Sequence, residues 1–239
     1  MVEVTNLTKY YGTRLAVDNI SFKVEKGMIY GFLGPNGAGK TTVMNIMTGY
    51  IGASSGHVTV NGYDILEEPE KAKRCIGYLP EHPPLYLDMT VYEYLKFAAE
   101  LKRVPKGEIG AQIEGLLDMI KISDVSKRPI KFLSKGYRQR VGLAQAIIGY
   151  PEVIILDEPT AGLDPKQIIE FRTLIKSLGE SHTVILSSHI LSEISAVCGH
   201  ILILSKGKMV ASDAPENLGD LEEAFLELTK NEVADGGDL

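Results

Sequence analysis

The sequence predicts an α/β fold with a parallel sheet, interrupted by a helical insert. Three observations carry that prediction. A glycine-rich turn joins a buried strand to a helix. Strand and helix patterns alternate through the second half of the chain. Between these regions, from about Asp88 to Tyr150, the apolar residues recur with helical spacing.

The first elements are β-rich. "VEVTNLTKYY", "AVDNISFKV", "MIYGFLG" and "HVTVNGYDI" are strand candidates, punctuated by the turn signals "YGT", "EKG" and "NGY". The strand in "KGMIYGFLG" runs into Gly34-Pro35-Asn36-Gly37-Ala38-Gly39-Lys40-Thr41, which satisfies G-x-x-x-x-G-K-[ST]. Glycines at these positions let successive backbone N–H groups turn inward as an anion nest. The helix that follows, from Lys40 to about Tyr50, adds unpaired N–H groups and a partial positive charge at its start. In this pattern Lys40 reaches the β- and γ-phosphates and the Thr41 hydroxyl binds Mg²⁺.

The insert opens on "TVYEYLKFAAELKRV", where Thr90 and Glu93 have capping-box spacing. Ile109, Ile113, Leu116, Leu117 and Ile120 fall on one helical face. "LSKGYRQRVGLAQAIIGYP" reads as a third helix, with Ser134 as N-cap and Gly149 and Pro151 at its end. Then "EVIILD", "DPKQIIEFRTLIKSLG", "TVILSSH" and "ILSEISAVCG" alternate strand and helix, the rhythm of a parallel sheet. "ILILSKGKMVASD" closes the fold as a hairpin around Ser205–Lys208, and the acidic "NEVADGGDL" reads as a mobile tail over residues 231–239. Residues 1–230 are thus read as one domain, with the insert at about 88–150.

With 239 residues, 44% hydrophobic, the chain is long enough to bury a sizeable core. A net charge of −6 argues against nucleic acid as its main partner. No apolar run approaches the roughly 20 residues that span a bilayer, and "MVEVTNLTKYYG" lacks a signal pattern, so a cytoplasmic protein is expected. Cys75 and Cys198 form neither a CxxC nor a metal cluster and read as buried, reduced thiols.

"VIILDEPT" adds the remaining carboxylates. Val153 to Leu156 fit a central parallel strand, and Asp157 and Glu158 emerge at its carboxyl end, where open α/β sheets bind ligands. Beside a phosphate loop, an Asp so placed holds Mg²⁺, and an adjacent carboxylate can polarise the attacking water.

Taken together, "GPNGAGKTT", "LSKGYRQRVGLAQAI", "VIILDEPTAGLDP" and "ILSSHIL" resemble, in order and spacing, the nucleotide-binding subunit of ATP-binding-cassette (ABC) transporters over about residues 2–230. The resemblance implies a P-loop NTPase core with a mainly parallel sheet, an N-terminal antiparallel β-subdomain and an inserted α-helical subdomain. It implies an ATPase that uses ATP and Mg²⁺. Tyr11 matches the aromatic that stacks on adenine, although Tyr10 could serve instead. Gly34 to Thr42 match the phosphate and Mg²⁺ ligands, Glu158 the catalytic base, and His189 the switch histidine at the γ-phosphate. Asp164 matches the residue that addresses the opposite subunit, and it can equally cap the next helix. Ser134 and Gly136, in the signature segment, face the nucleotide of a second copy, so two ATPs are buried in a head-to-tail dimer. A membrane-spanning subunit is the further partner, which puts the chain on the inner face of the cell membrane. A soluble cassette acting on ribosomes or in DNA repair is the alternative.

Two departures stand out. Glu81 occupies the place where the family usually has Gln, as a candidate Mg²⁺ ligand that adds negative charge near the γ-phosphate. The signature reads Leu133-Ser-Lys-Gly-Tyr137, not L-S-G-G-Q. With "LEEAFLELT" (Leu221–Thr229), these features resemble the cassettes of bacterial exporters whose membrane chains are separate.

Overall fold

The computed structural model describes residues 1–218, 223 and 225. Among them a six-stranded sheet has the order β10-β9-β3-β8-β7-β6. Its strands are β3 (Ile29–Leu33), β6 (Ile76–Leu79), β7 (Val153–Leu156), β8 (Thr183–Ser188), β9 (His200–Ser205) and β10 (Lys208–Asp213). All neighbours run parallel except the hairpin of β9 and β10. A four-stranded antiparallel sheet combines β1 (Val2–Tyr11), β2 (Arg14–Val24), β4 (Ser55–Val60) and β5 (Tyr63–Asp64). The helices are α1 (Lys40–Met47), α2 (Pro69–Arg74), α3 (Val91–Leu101), α4 (Ile109–Met119), α5 (Lys135–Ile147), α6 (Pro165–Gly179) and α7 (Leu191–Val197).

The large sheet is a partition between two cores. Side chains alternate across a strand. Thus Ile154 and Leu156 of β7, with Val184 and Leu186 of β8, join the core built from α3 to α7. Val153, Ile155 and Ile185 join the opposite core, with Val43, Met44 and Met47 of α1 and Val4, Leu7 and Val58 of the antiparallel sheet. Every residue of β7 and β8 is buried, as a sheet covered on both faces requires. The insert therefore packs on one face of the six-stranded sheet, and the β-subdomain packs on the other.

The expected insert helices form. Thr90 and Glu93 close the capping box, with Glu93 N–H donating to Thr90 Oγ1 (3.3 Å) and Thr90 N–H donating to Glu93 Oε2 (2.8 Å). Ile109, Ile113, Leu116, Leu117 and Ile120 are all buried. Cys75 and Cys198 are buried free thiols. Three local features differ from expectation. The first helix ends at Met47, short of Tyr50, where the chain turns through Thr48 and Gly49. Helix α2 buries only Ala72 and leaves no apolar period to read. Strands β1 and β2 carry register shifts with Asn6 and Asn19 at φ 48°; the Ser21 hydroxyl donates to Asn6 Oδ1 (3.2 Å), and Asn19 N–H donates to Thr8 Oγ1 (3.1 Å). The stretch 221–229, apart from Glu223 and Phe225, and the tail 231–239 lie outside the described residues.

Candidate active site

The turn after β3 is forced into shape by close backbone contacts. A Cβ on Gly34 would lie 2.4 Å from the Leu204 carbonyl oxygen. Gly39 has φ 104°, and a Cβ there would lie 2.7 Å from the Ala16 carbonyl oxygen. Gly39 N-caps α1 without any side-chain acceptor, so the first-turn N–H groups of α1 are left to a ligand. Lys40 is 5% exposed. Its Nζ donates to the carbonyls of Gly34 (2.6 Å) and Pro35 (3.2 Å) and lies 3.5 Å from Glu158 Oε1.

A cavity of about 560 Å³ opens over this loop, lined by Tyr11, Asn36, Gly37, Gly39, Lys40, Thr41, Thr42, Glu81 and Glu158. Arg14, Lys206 and Gly207 also line it. Of the two neighbouring tyrosines, Tyr11 is the one at the cavity; Lys9 Nζ lies over its ring, 5.3 Å from the centre. Ala38 is buried beneath the loop, with its carbonyl accepting from Gly207 N–H (3.1 Å).

At the end of β7, Asp157 and Glu158 are almost fully buried. Ser187 on β8 holds both: its hydroxyl donates to Asp157 Oδ1 (2.6 Å) and accepts from Glu158 N–H (2.9 Å). The Thr41 hydroxyl donates to the same Asp157 oxygen (3.3 Å). Glu158 takes φ 45°, a conformation a side-chain-bearing residue adopts only when its surroundings hold it there. Its Oε2 lies 3.0 Å from His189 Nδ1. Burial pushes the Asp157 pKa up, and the carboxylates of Glu158 and Glu81 add to that against the Ser187 and Thr41 hydroxyls. A divalent cation fits this surplus of negative charge, with the Thr41 hydroxyl and the Asp157 carboxylate as its protein ligands. Among the described residues no group of three His, Cys, Asp or Glu could hold a metal ion, so substrate phosphate oxygens would have to complete the shell.

Ser134 and Gly136 do not line this cavity. They begin α5, where the Ser134 Oγ accepts from Tyr137 N–H (3.4 Å) and a Cβ on Gly136 would meet the Gln167 side chain at 2.6 Å. Lys135 lies against Gly162, and Asp164 caps α6 by accepting from Gln167 N–H (3.0 Å). Sequence reasoning missed Ser187. One of two adjacent serines at a strand end carries no motif that marks it as the bridge between Asp157 and Glu158.

Residues 17–161 match the family described as ABC transporter. The chain belongs to this family. It is 41% identical over its whole length to an uncharacterized ABC transporter ATP-binding protein of Methanocaldococcus jannaschii, covering 84% of that protein. It is 37% identical to the lantibiotic transport ATP-binding protein SrtF of Streptococcus pyogenes, over 94% of this chain and 96% of that one. A solved ATP-binding subunit of an ABC transporter superposes with a TM-score of 0.87 at 28% identity, covering 95% of this chain and 99% of the other. The family member described here is an ATP-binding subunit and an ATPase. Among the described residues no helix is long and apolar enough to cross a membrane.

Proposed function

We propose that the chain powers an exporter from the cytoplasmic face of the membrane, by closing as a dimer around ATP and reopening on hydrolysis. The relatives named above are transport or transporter proteins, which favours this reading over a soluble cassette on ribosomes or DNA. The adenine stacks on Tyr11, and the phosphates lie against Gly34–Thr42, with the α1 N-terminus and Lys40 as counter-charge. Mg²⁺, held through Thr41 and Asp157 with Glu81 at its edge, would offset charge on the transferring phosphate. Glu158 accepts the proton of the attacking water, and His189 fixes the carboxylate through its Nδ1 contact. Ser134 and Gly136 serve the nucleotide of a second copy across a two-fold axis. ATP thus makes contacts that exist only in the closed state, and this difference in affinity is what can move an attached membrane subunit. That subunit docks at the core–insert boundary, near Glu81–Leu87 and the segment Asp88–Leu101. There a cavity of about 880 Å³ runs from Tyr50 and Tyr78 to Pro84 and shares Thr41, Glu81 and Asp157 with the site.

One observation carries this reading: Glu158 is held in a left-handed backbone conformation between Lys40 (3.5 Å) and His189 (3.0 Å), at the mouth of a phosphate loop. Glu158→Gln tests it. The substitution keeps the nucleotide contacts and removes the base, so ATP turnover should fall by about 10²–10⁴-fold. ATP affinity should persist, and light scattering should find two chains trapped together. Normal turnover in this variant would sink the assignment.

A further inference from the structure

We propose that Glu193 is a positioning residue for hydrolysis, acting through the Glu158–His189 pair; the proposal rests on the roles of those two residues argued above. Glu193 is 4% exposed, although it carries a carboxylate. Buried carboxylates persist where hydrogen bonds satisfy them. Here the donors come from the two segments beside the catalytic pair, the loop after Glu158 and the last residue of β8 before His189. The Thr160 hydroxyl donates to Glu193 Oε2 (2.6 Å), and the Ser188 hydroxyl donates to the same oxygen (3.0 Å).

Thr160 lies two residues beyond Glu158, and Ser188 immediately precedes His189. Ser188 in turn accepts from the Ile190 N–H (3.0 Å), so His189 is held on both sides by one hydroxyl. Glu193 lies in the first turn of α7, which packs on β3 and β8. One carboxylate oxygen therefore ties the Thr160 loop to the end of β8, beside the contact of His189 Nδ1 with Glu158 Oε2. Thr160 and Ser188 are themselves buried, so losing their shared acceptor leaves two hydroxyl protons without an acceptor and frees the two segments to drift. A displacement of about 1 Å at a reacting group costs about a hundredfold in rate.

The nucleotide contacts lie elsewhere, on Gly34–Thr42 and Tyr11, so this staple governs the chemical step and not binding. In the full-length chain, Glu193→Ala should lower kcat by about 10- to 100-fold, while ATP affinity measured by calorimetry stays within about twofold. Glu193→Gln retains an acceptor oxygen and should restore most of kcat. Thr160→Val should reproduce the loss and Thr160→Ser should not, which decides the matter if Glu193→Ala does not fold. In a His189→Ala background the Glu193→Ala loss should shrink to little, because the two act as a unit. Equal losses of kcat and affinity, or additive losses in the double variant, would reduce Glu193 to a general structural role and overturn the proposal. So would unchanged kcat in both Glu193→Ala and Thr160→Val. Glu158→Gln is measured alongside: if it hydrolyses ATP normally, the underlying reading has failed, whereas its inactivity with full activity in Glu193→Ala rejects the staple alone.

Discussion

Two helix starts in this molecule look alike in sequence and differ in structure. Helix α1 begins at Gly39 with no side-chain cap, a buried lysine and a cavity directly above it. Helix α5 begins at an exposed Ser134 whose hydroxyl reaches Tyr137 N–H only at 3.4 Å, and it borders none of that cavity. Neither helix carries an acidic residue in its first turn, so both present positive ends. The difference bears on the role each one has in the proposed function. The α1 end is complete within one chain: loop, lysine, threonine and carboxylates converge there. The α5 end lies away from that cavity, and under the proposed function it serves the nucleotide of a second copy.

The largest effect should come from the complete half. Lys40→Ala removes a buried ammonium whose charge-assisted contacts are each worth about 1.5–3 kcal/mol. With two phosphates contacted, ATP affinity should fall about a hundredfold or more, measured by calorimetry. Unchanged affinity would count heavily against the loop as the phosphate site.

The incomplete half should behave differently. Ser134→Asp keeps a good N-cap for α5, because Asp and Ser cap about equally well, but sets a carboxylate where the partner's phosphate would approach. The isolated chain should bind ATP as before, while the ATP-dependent dimer seen by light scattering weakens by at least about tenfold. If both properties fell together, the two starts would belong to a single site within one chain, and the contrast would collapse.

The comparison also explains what could be read in advance. The loop, the VIILDEPT strand and the capping box are runs of fixed spacing within one segment, and each appears in the structure where its spacing put it. Ser187 and the Thr160–Glu193 bond are different. They join positions 30 and 33 residues apart, through strands that become neighbours only once the sheet has formed. No local period encodes such a meeting. The slips at Asn6 and Asn19 were legible in part: the buried alternation of β1 steps from Val4 to Leu7 and that of β2 from Val17 to Ile20, each one residue out of period, and the pairing of β1 with β2 shows the shift.

A smaller effect distinguishes charge from architecture in the complete half. Burial and two neighbouring carboxylates raise the Asp157 pKa in the folded chain. A raised carboxylate pKa means that the native state binds its proton more tightly than the unfolded state. Stability is then lost as pH rises from the ordinary carboxylate range through the folded pKa, and it stays lost above. Asp157→Asn keeps an oxygen for the Ser187 and Thr41 hydroxyls and removes the charge. The nucleotide-free variant should therefore melt higher than the parent at pH 7, by an amount that disappears below about pH 4, even as hydrolysis fails. A lower melting temperature at pH 7 would mean that the hydroxyl bonds outweigh the desolvation cost.

The smallest effect belongs to Glu81, which lines the cavity on the α1 side yet has a side chain 46% exposed. Its charge adds to the pressure on Asp157, so it is close enough to be felt there. At 4 Å, unit charges repel by about 4 kcal/mol at an effective dielectric of 20 but only about 1 kcal/mol in water. Half-exposure puts Glu81 toward the lower figure. His82 Nδ1 at 3.9 Å offers little compensation, since that imidazole is itself exposed. Without metal, Glu81 and a γ-phosphate are uncompensated like charges; with Mg²⁺ between them they are bridged. Glu81→Gln should therefore raise ATP affinity in EDTA by about fivefold, corresponding to about 1 kcal/mol, and change it less with saturating Mg²⁺. Four titrations, wild type and variant with and without metal, give the coupling between the substitution and the ion. A coupling of zero would remove Glu81 from the metal shell and leave Thr41 and Asp157 as the only protein ligands on that side. The α1 site would then be complete without Glu81.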